Sequence, residues 1–201
     1  MDVWGPARVS RQGRKHYFLL VVDDYTRYTA VFPLRRKGQV VDVLIPWIRA
    51  VLRERFSQDL PVLRLHPDGG GEFSSDLLRD FCRGEGILQS FTLPEPPHQN
   101  GIAEHRIGLV MKVARNSMIH AAAPHFLWPF AVRYAAHQLN LWPHIFLPET
   151  SPTVRWTGKV GDVSVFRVWG SCAFFRDTSA DKLSARAIPC VFLGFSPNAP
   201  G

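Results

Sequence analysis

The sequence predicts an α/β domain with a mixed sheet flanked by helices, followed by a short all-β unit. Three observations carry that prediction. Apolar, β-branched runs alternate with stretches of helical spacing as far as residue 140. Two of the runs, near the start, are separated by only a short turn and read as a hairpin. From residue 163 the helical period disappears and short apolar runs follow one another.

The elements follow in order. "HYFLLVVDD" (16–24) reads as a buried strand, residues 25–27 as a turn, and "YTAVFPL" (28–34) as its partner. Residues 37–56 place Val41, Leu44, Ile48 and Val51 at helical spacing; Pro46 implies that the helix kinks or begins there. "PVLRLHP" (61–67) is a strand. Residues 74–86 form a short helix, capped by Ser74 or Ser75 and stopped by Gly84 or Gly86. "ILQSF" (87–91) is another strand. "TLPEPPHQN" (92–100) holds three prolines and an asparagine, so it is a loop. A helix over 101–122 turns Ile107, Val110, Ala114 and Met118 inward, and a second covers 126–140. Residues 141–160 read as irregular. "VFRVWG", "CAFFRD" and "PCVFLGF" supply the strands of the tail. These patterns divide the chain into a core over 1–145, a linker over 146–162 and a β segment over 163–201.

Composition narrows the function. Hydrophobic residues make up 46% of the chain, enough to build a core, and the formal net charge is +7. A basic domain suits a polyanionic partner, although charge alone fits an ordinary basic protein equally well. Cys82, Cys172 and Cys190 are odd in number and far apart, which suggests neither a zinc knuckle nor a disulfide framework; buried, reduced thiols are expected. The longest aliphatic-aromatic run, "YFLLVV", is too short to span a bilayer, so no membrane association is expected.

Three acids stand out by position. Asp2 lies in a strand-like segment, Asp68 ends a central strand, and Glu104 falls in the first turns of a helix. Acids so far apart along the chain meet only through the fold. Hard divalent cations take oxygen ligands, and two such ions about 4 Å apart serve an in-line phosphoryl displacement. The glycines after Asp68 leave room for a phosphate backbone. On spacing alone the plainer alternative stands beside this one: Asp68 caps a turn and Glu104 is a solvated helix residue. Glu72 reads as solvated at a helix start, and Asp23 and Asp24 as the end of a strand. Trp128, Phe130 and Tyr134 read as core.

The strings "DVWGP", "YFLLVVDDYTRY", "LHPDGGGEF", "PEPPHQNGIAEH", "ARNSMI" and "FLWPFAVRYAAHQLN" occur in that order. Together, and with 35 residues between Asp68 and Glu104, they resemble the catalytic core of copia-type retrotransposon integrases. "FRVWGSCAFF" and "DKLSARAIPCVFLGFSP" are similar to the segment that follows that core.

The resemblance implies a ribonuclease-H-like fold, a mixed five-stranded sheet flanked by helices, with an incomplete Src-homology-3-like β segment after it. It implies a polynucleotidyl transferase that processes the 3′ ends of element DNA and joins them to target DNA. Asp2, Asp68 and Glu104 match the family's catalytic and metal-binding acids, with two Mg2+ ions, or Mn2+, as cofactor. Gly69, Gly70, His98, Gln99, Asn100, Arg106, Lys112 and Arg115 are the expected nucleic-acid contacts. DNA is the expected partner and a homo-oligomer the expected state on DNA. The expected place of action is the nucleus, after synthesis in the cytoplasm. The chain reads as a fragment of a polyprotein with a shortened first strand.

There are departures. Gly69 stands where the family has Asn and Glu95 where it has Tyr. Ile107 and Gly108 replace polar or basic residues. They favour a second reading, a catalytically inactive remnant that at most binds nucleic acid non-specifically.

Overall fold

A computed structural model describes residues 1–7, 15–55, 64–91, 101–143, 149–176, 178 and 186–195. The chain forms two compact units, residues 1–24 with 29–108 and residues 25–28 with 109–201. Compactness divides the chain within a helix.

The first unit is mixed α/β. Strands β1 (Asp2–Trp4), β2 (Tyr17–Val22) and β3 (Thr29–Leu34) form an antiparallel sheet in that order. Asp2 faces Leu20, and Tyr17 faces Leu34. β2 is the apolar centre: Phe18, Leu19 and Leu20 are wholly buried, as expected of a β-branched and aromatic run with no polar alternation. Pro33 has no N–H to donate and sits on the edge strand β3, where that loss is tolerated. A 3-10 turn at Lys37–Gln39 leads into helix α1 (Val40–Arg55).

Pro46 lies inside α1, which neither begins nor ends there. It is on the exposed face, so water can serve the carbonyl that its missing N–H would have met. The opposite face buries Leu44, Ile48 and Leu52 against Leu19, Leu34, Leu65, Phe73 and Leu78, and Val51 is buried as well.

The second half of this unit places the loop that carries Asp68. Strands β4 (Arg64–Leu65) and β5 (Leu88–Gln89) pair in parallel. Between them lie a 3-10 turn at Gly71–Phe73 and helix α2 (Asp76–Gly84). The Ser75 side chain caps α2 by accepting from Leu78 N at 3.3 Å. Two hydrogen bonds run between β1 and the end of β4: Met1 N donates to His66 O at 2.9 Å, and Asp68 N donates to Met1 O at 3.3 Å. The expected single sheet of five strands takes the form of one three-stranded and one two-stranded sheet, linked at these bonds. β4 and β5 are two residues each, too short to extend the ladder further.

Helix α3 (Gly101–His120) begins in the first unit and continues into the second. Ile107, Val110 and Ala114 are buried as its spacing predicted, and Met118 is half-buried. Gly108 is exposed, and a Cβ there would meet nothing within 4 Å. Gly108→Ala is therefore expected to stabilise the protein by about 0.5–1 kcal/mol, because alanine restricts the unfolded chain and favours the helix. The midpoint of urea unfolding should rise accordingly.

The second unit holds helix α4 (Trp128–Leu141), whose Trp128, Val132, Tyr134 and Ala135 are buried, while Phe130 is 39% exposed. Helix α5 (Pro152–Thr157) falls where irregular structure was expected. Its signals are local: Ser151 accepts from Val154 N, Pro152 opens the helix, and Gly158 at φ +71° closes it. Trp156 stacks on Tyr28 with centroids 4.6 Å apart, and the Arg155 guanidinium lies 4.7 Å from the Tyr25 ring centroid.

The tail is a hairpin of β6 (Cys172–Arg176) and β7 (Ala187–Val191). Tyr134 ties it to α4. The Tyr134 hydroxyl donates to Arg167 O at 2.6 Å, and its ring meets Phe192 edge-on. The expected strand over 165–170 does not form; a 3-10 turn at Val163–Val165 leads into it and a turn at residues 169 and 170 closes it. Cys172 and Cys190, expected to be buried, are both exposed. Phe174 and Phe175 are 70% and 62% exposed. Among the described residues no further strand or layer covers either face of this hairpin, and two strands alone bury little.

Candidate metal centre

Asp2 and Asp68 come together. β1 carries Asp2, and the two Met1 hydrogen bonds described above set β1 beside the segment that ends in Asp68. The two carboxyl groups are within hydrogen-bonding reach of each other. Burial first, then the Asp2 charge and that hydrogen bond, push Asp68 up to about 6. Glu72 adds to the rise, while the Gly70 N–H donated to Asp68 Oδ1 at 3.3 Å opposes it. Two carboxylates this close cannot both ionise freely unless a cation joins them.

Glu104 is on the exposed side of the first turn of α3. It lines an open cleft of about 440 Å3 together with Asp2, Val3, Trp4, Gly5, Pro6 and Ile107. Asp2 thus stands between its two partners: it touches Asp68, and it shares a cleft with Glu104. Among the described residues no three acids, histidines or cysteines close on a single metal position. The donor set nevertheless fits a hard divalent cation. It is made of carboxylate oxygens, those of Asp2 on β1 and those of Asp68 on the loop after β4, brought together at a cost that a cation would offset. A larger cavity of about 640 Å3 in the second unit is walled by residues such as Phe166, Val168 and Trp169 and contains no carboxylate, so it does not serve this chemistry.

One glycine of the run has a local reason as well. A Cβ on Gly70 would sit 2.8 Å from Glu72 Oε2 and 3.1 Å from Asp68 Oδ1. Gly70 therefore makes room for two carboxylates of its own chain. Gly71 faces open space and Gly69 is exposed.

The turn is held at both ends. Phe73 is wholly buried, and Glu72 pairs with Lys37 at 3.1 Å with only 9% of the Glu72 side chain exposed. Glu72 had been read as solvated; its burial corrects that. Lys37 gave no signal in sequence, because its role depends on a turn following a different strand. His66, beside the site, shares a 3.0 Å hydrogen bond between its Nδ1 and Ser90 Oγ.

The expected nucleic-acid contacts divide. Lys112 and Arg115 are exposed on α3. Arg106 is not: it is 4% exposed and its Nε donates to Thr29 Oγ1 at 2.6 Å. That corrects its expected place on a DNA-facing surface. Burial of the stem and a buried hydroxyl partner turn the guanidinium inward. His98, Gln99 and Asn100, with Glu95, lie outside the described residues.

Comparison with known proteins bears directly on this site. Residues 1–97 match the integrase core domain family, a match that includes Asp2 and Asp68 and ends before Glu104. The chain is 32% identical over 196 residues to the retrovirus-related Pol polyprotein from transposon TNT 1-94 of Nicotiana tabacum, covering 96% of this chain and 14% of that protein. It is 29% identical over 197 residues to the Pol polyprotein from transposon RE2 of Arabidopsis thaliana, covering 97% and 13%. The transposon Ty1-DR6 Gag-Pol polyprotein of Saccharomyces cerevisiae matches at 25% over 205 residues, covering 100% and 11%. The chain spans about a seventh or less of the length of these relatives. No helix among the described residues is long and apolar enough to cross a membrane. An integrase core match that contains the paired aspartates, and alignment along nearly the whole chain, make this protein a homologue of one segment of the Pol polyproteins of copia-type transposons.

Proposed function

We propose that the chain is the catalytic part of an integrase that cuts element DNA near its 3′ ends and joins those ends to target DNA. The observation that carries this reading is the contact between the Asp2 and Asp68 carboxyl groups, with Glu104 on the adjoining cleft. Asp2, Asp68 and Glu104 would hold one or two divalent cations, Mg2+ or Mn2+. A cation bound there supplies positive charge at the phosphate and lowers the pKa of the attacking water or 3′ hydroxyl. Asp2 and Asp68 would fix the cation's position, because each sits on or beside a strand rather than on a long loop. The Met1 bonds to His66 and Asp68 support a ribonuclease-H-like order in which β1 lies beside β4. Lys112 and Arg115 would hold phosphates along α3, contacts that position DNA without reading its sequence. On DNA the protein would act as a homo-oligomer, in the nucleus.

The test is a strand-transfer and nicking assay with a labelled duplex, Mg2+ or Mn2+ and the chain itself. Metal-dependent nicking or joining is the expected product. Its absence, with intact folding and DNA binding, would favour the second reading, a catalytically silent remnant that binds nucleic acid through charge. The departures at Gly69 and Glu95 favour that reading. In either case duplex binding should weaken steeply with salt, because neutralised phosphates release counterions; anisotropy titrations between about 50 and 200 mM salt measure it.

A further inference from the structure

We propose that Lys37 is a substrate-positioning residue of this site: Glu72 holds its ammonium group beside the acidic pair, where it meets a DNA phosphate. The inference rests on the DNA-directed reading above and adds a residue that neither the sequence pattern nor the family match singles out. Lys37 opens the 3-10 turn after β3, and Glu72 lies in the 3-10 turn after β4, so their 3.1 Å pair ties two separate turns together. Glu72 is the anchored member, with 9% of its side chain exposed; Lys37 is the open one, at 48%. Glu72 in turn lies against Gly70, whose N–H donates to Asp68. The ammonium is close enough to feel the Asp68 charge as well as that of Glu72.

Two arguments make this a phosphate contact rather than a simple strut. An ammonium has three hydrogens, and its ion pair with one carboxylate oxygen at 3.1 Å engages at most one of them. A lysine serves phosphate as a point charge and needs no fixed fork, so the remaining hydrogens can reach an oxygen from solvent. Asp2, Asp68, Glu72 and Glu104 also repel a polyanion. An exposed cation held by Glu72 near Asp68 supplies local attraction where an incoming backbone is otherwise repelled.

The experiment measures binding of a 20-base-pair duplex to the full 201-residue chain in chelator, as a function of salt, for wild type, Lys37→Met, Lys37→Arg and the double variant K37M/E72Q. The double variant leaves no unpaired, nearly buried carboxylate and guards against misfolding. K37M and K37M/E72Q are expected to bind several-fold more weakly, with the slope of log K against log salt shallower by about 1, the signature of one lost phosphate contact. K37R should keep the wild-type slope. A strut without a phosphate partner would leave the slope unchanged in K37M/E72Q, and that result overturns the proposal, as does a K37R slope as shallow as that of K37M. Asp68→Asn, measured alongside, should keep the slope while losing metal-dependent cleavage. Cleavage that survives in Asp68→Asn would instead count against the metal reading alone.

Discussion

Replacing Asp68 with asparagine is expected to abolish metal-dependent cleavage and joining while making the cation-free protein more stable at neutral pH. On the proposed function, the loss follows from removing an oxygen pair that would hold a cation worth several kcal/mol to the transition state, on the order of 10³-fold in rate. The gain follows from the site's own electrostatics. Asp68 in the folded protein is raised to about 6 from the ordinary 3.8, chiefly by burial and by Asp2. A group raised on folding contributes stability that is fully present below its unfolded value and is lost as pH climbs through its folded value. In chelator, this group's contribution therefore falls between about pH 4 and pH 6. An Asn amide carries no charge and can donate to the Asp2 carboxylate, so the variant lacks that loss. Melting temperatures from pH 4 to 8 should converge for the two proteins at the acid end and separate in favour of Asp68→Asn above about 6. Because Asp68 is only half-buried, solvent screening keeps the separation modest.

The second large effect is on stability. Arg106→Met is expected to cost about 1.5–3 kcal/mol, the range for a lost hydrogen bond to a charged group. Methionine keeps much of the buried stem but cannot donate to Thr29 Oγ1, and Thr29 is itself buried. The midpoint of urea unfolding should fall with the slope unchanged. Duplex affinity of the folded variant should stay at the wild-type level, which separates this residue from Lys112 and Arg115. Substitution of those exposed residues should weaken binding without loss of stability.

Arg106 also shows where the sequence stopped being legible. Its charge and its place after Glu104 suggested a phosphate contact, because one-dimensional pattern cannot tell which way a long side chain turns. The helix period was the better guide. Arg106 adjoins Ile107 and precedes Val110 by four, on the face that α3 buries. The continuous apolar run of β2, the alternation of β3 and the spacing of α1 were readable, since burial on both faces, on one face or on one stripe leaves a direct imprint. Helix α5 was missed although Ser151, Pro152 and Gly158 spell its ends, because six residues are too few to show a period. The β tail was misjudged in the other direction. Cys172 and Cys190 were expected to be buried, but both are exposed because the hairpin has no covering layer among the described residues.

Of the site, the acids came from resemblance and spacing, and the meeting of Asp2 with Asp68 came from the fold. The Glu72–Lys37 pair was legible from neither, since it links turns that follow different strands. Gly70 was legible as a residue that needs room, but the neighbours it makes room for are Glu72 and Asp68.

The central claim is that Asp2 and Asp68 jointly hold a divalent cation, and calorimetric titration of Mn2+ into the wild-type chain, Asp2→Asn and Asp68→Asn tests it most directly. Binding by wild type should release protons and weaken as pH drops below about 6, where Asp68 takes up its proton, and either substitution should abolish it. Mn2+ binding of equal affinity in all three proteins, with no proton release, would contradict the account.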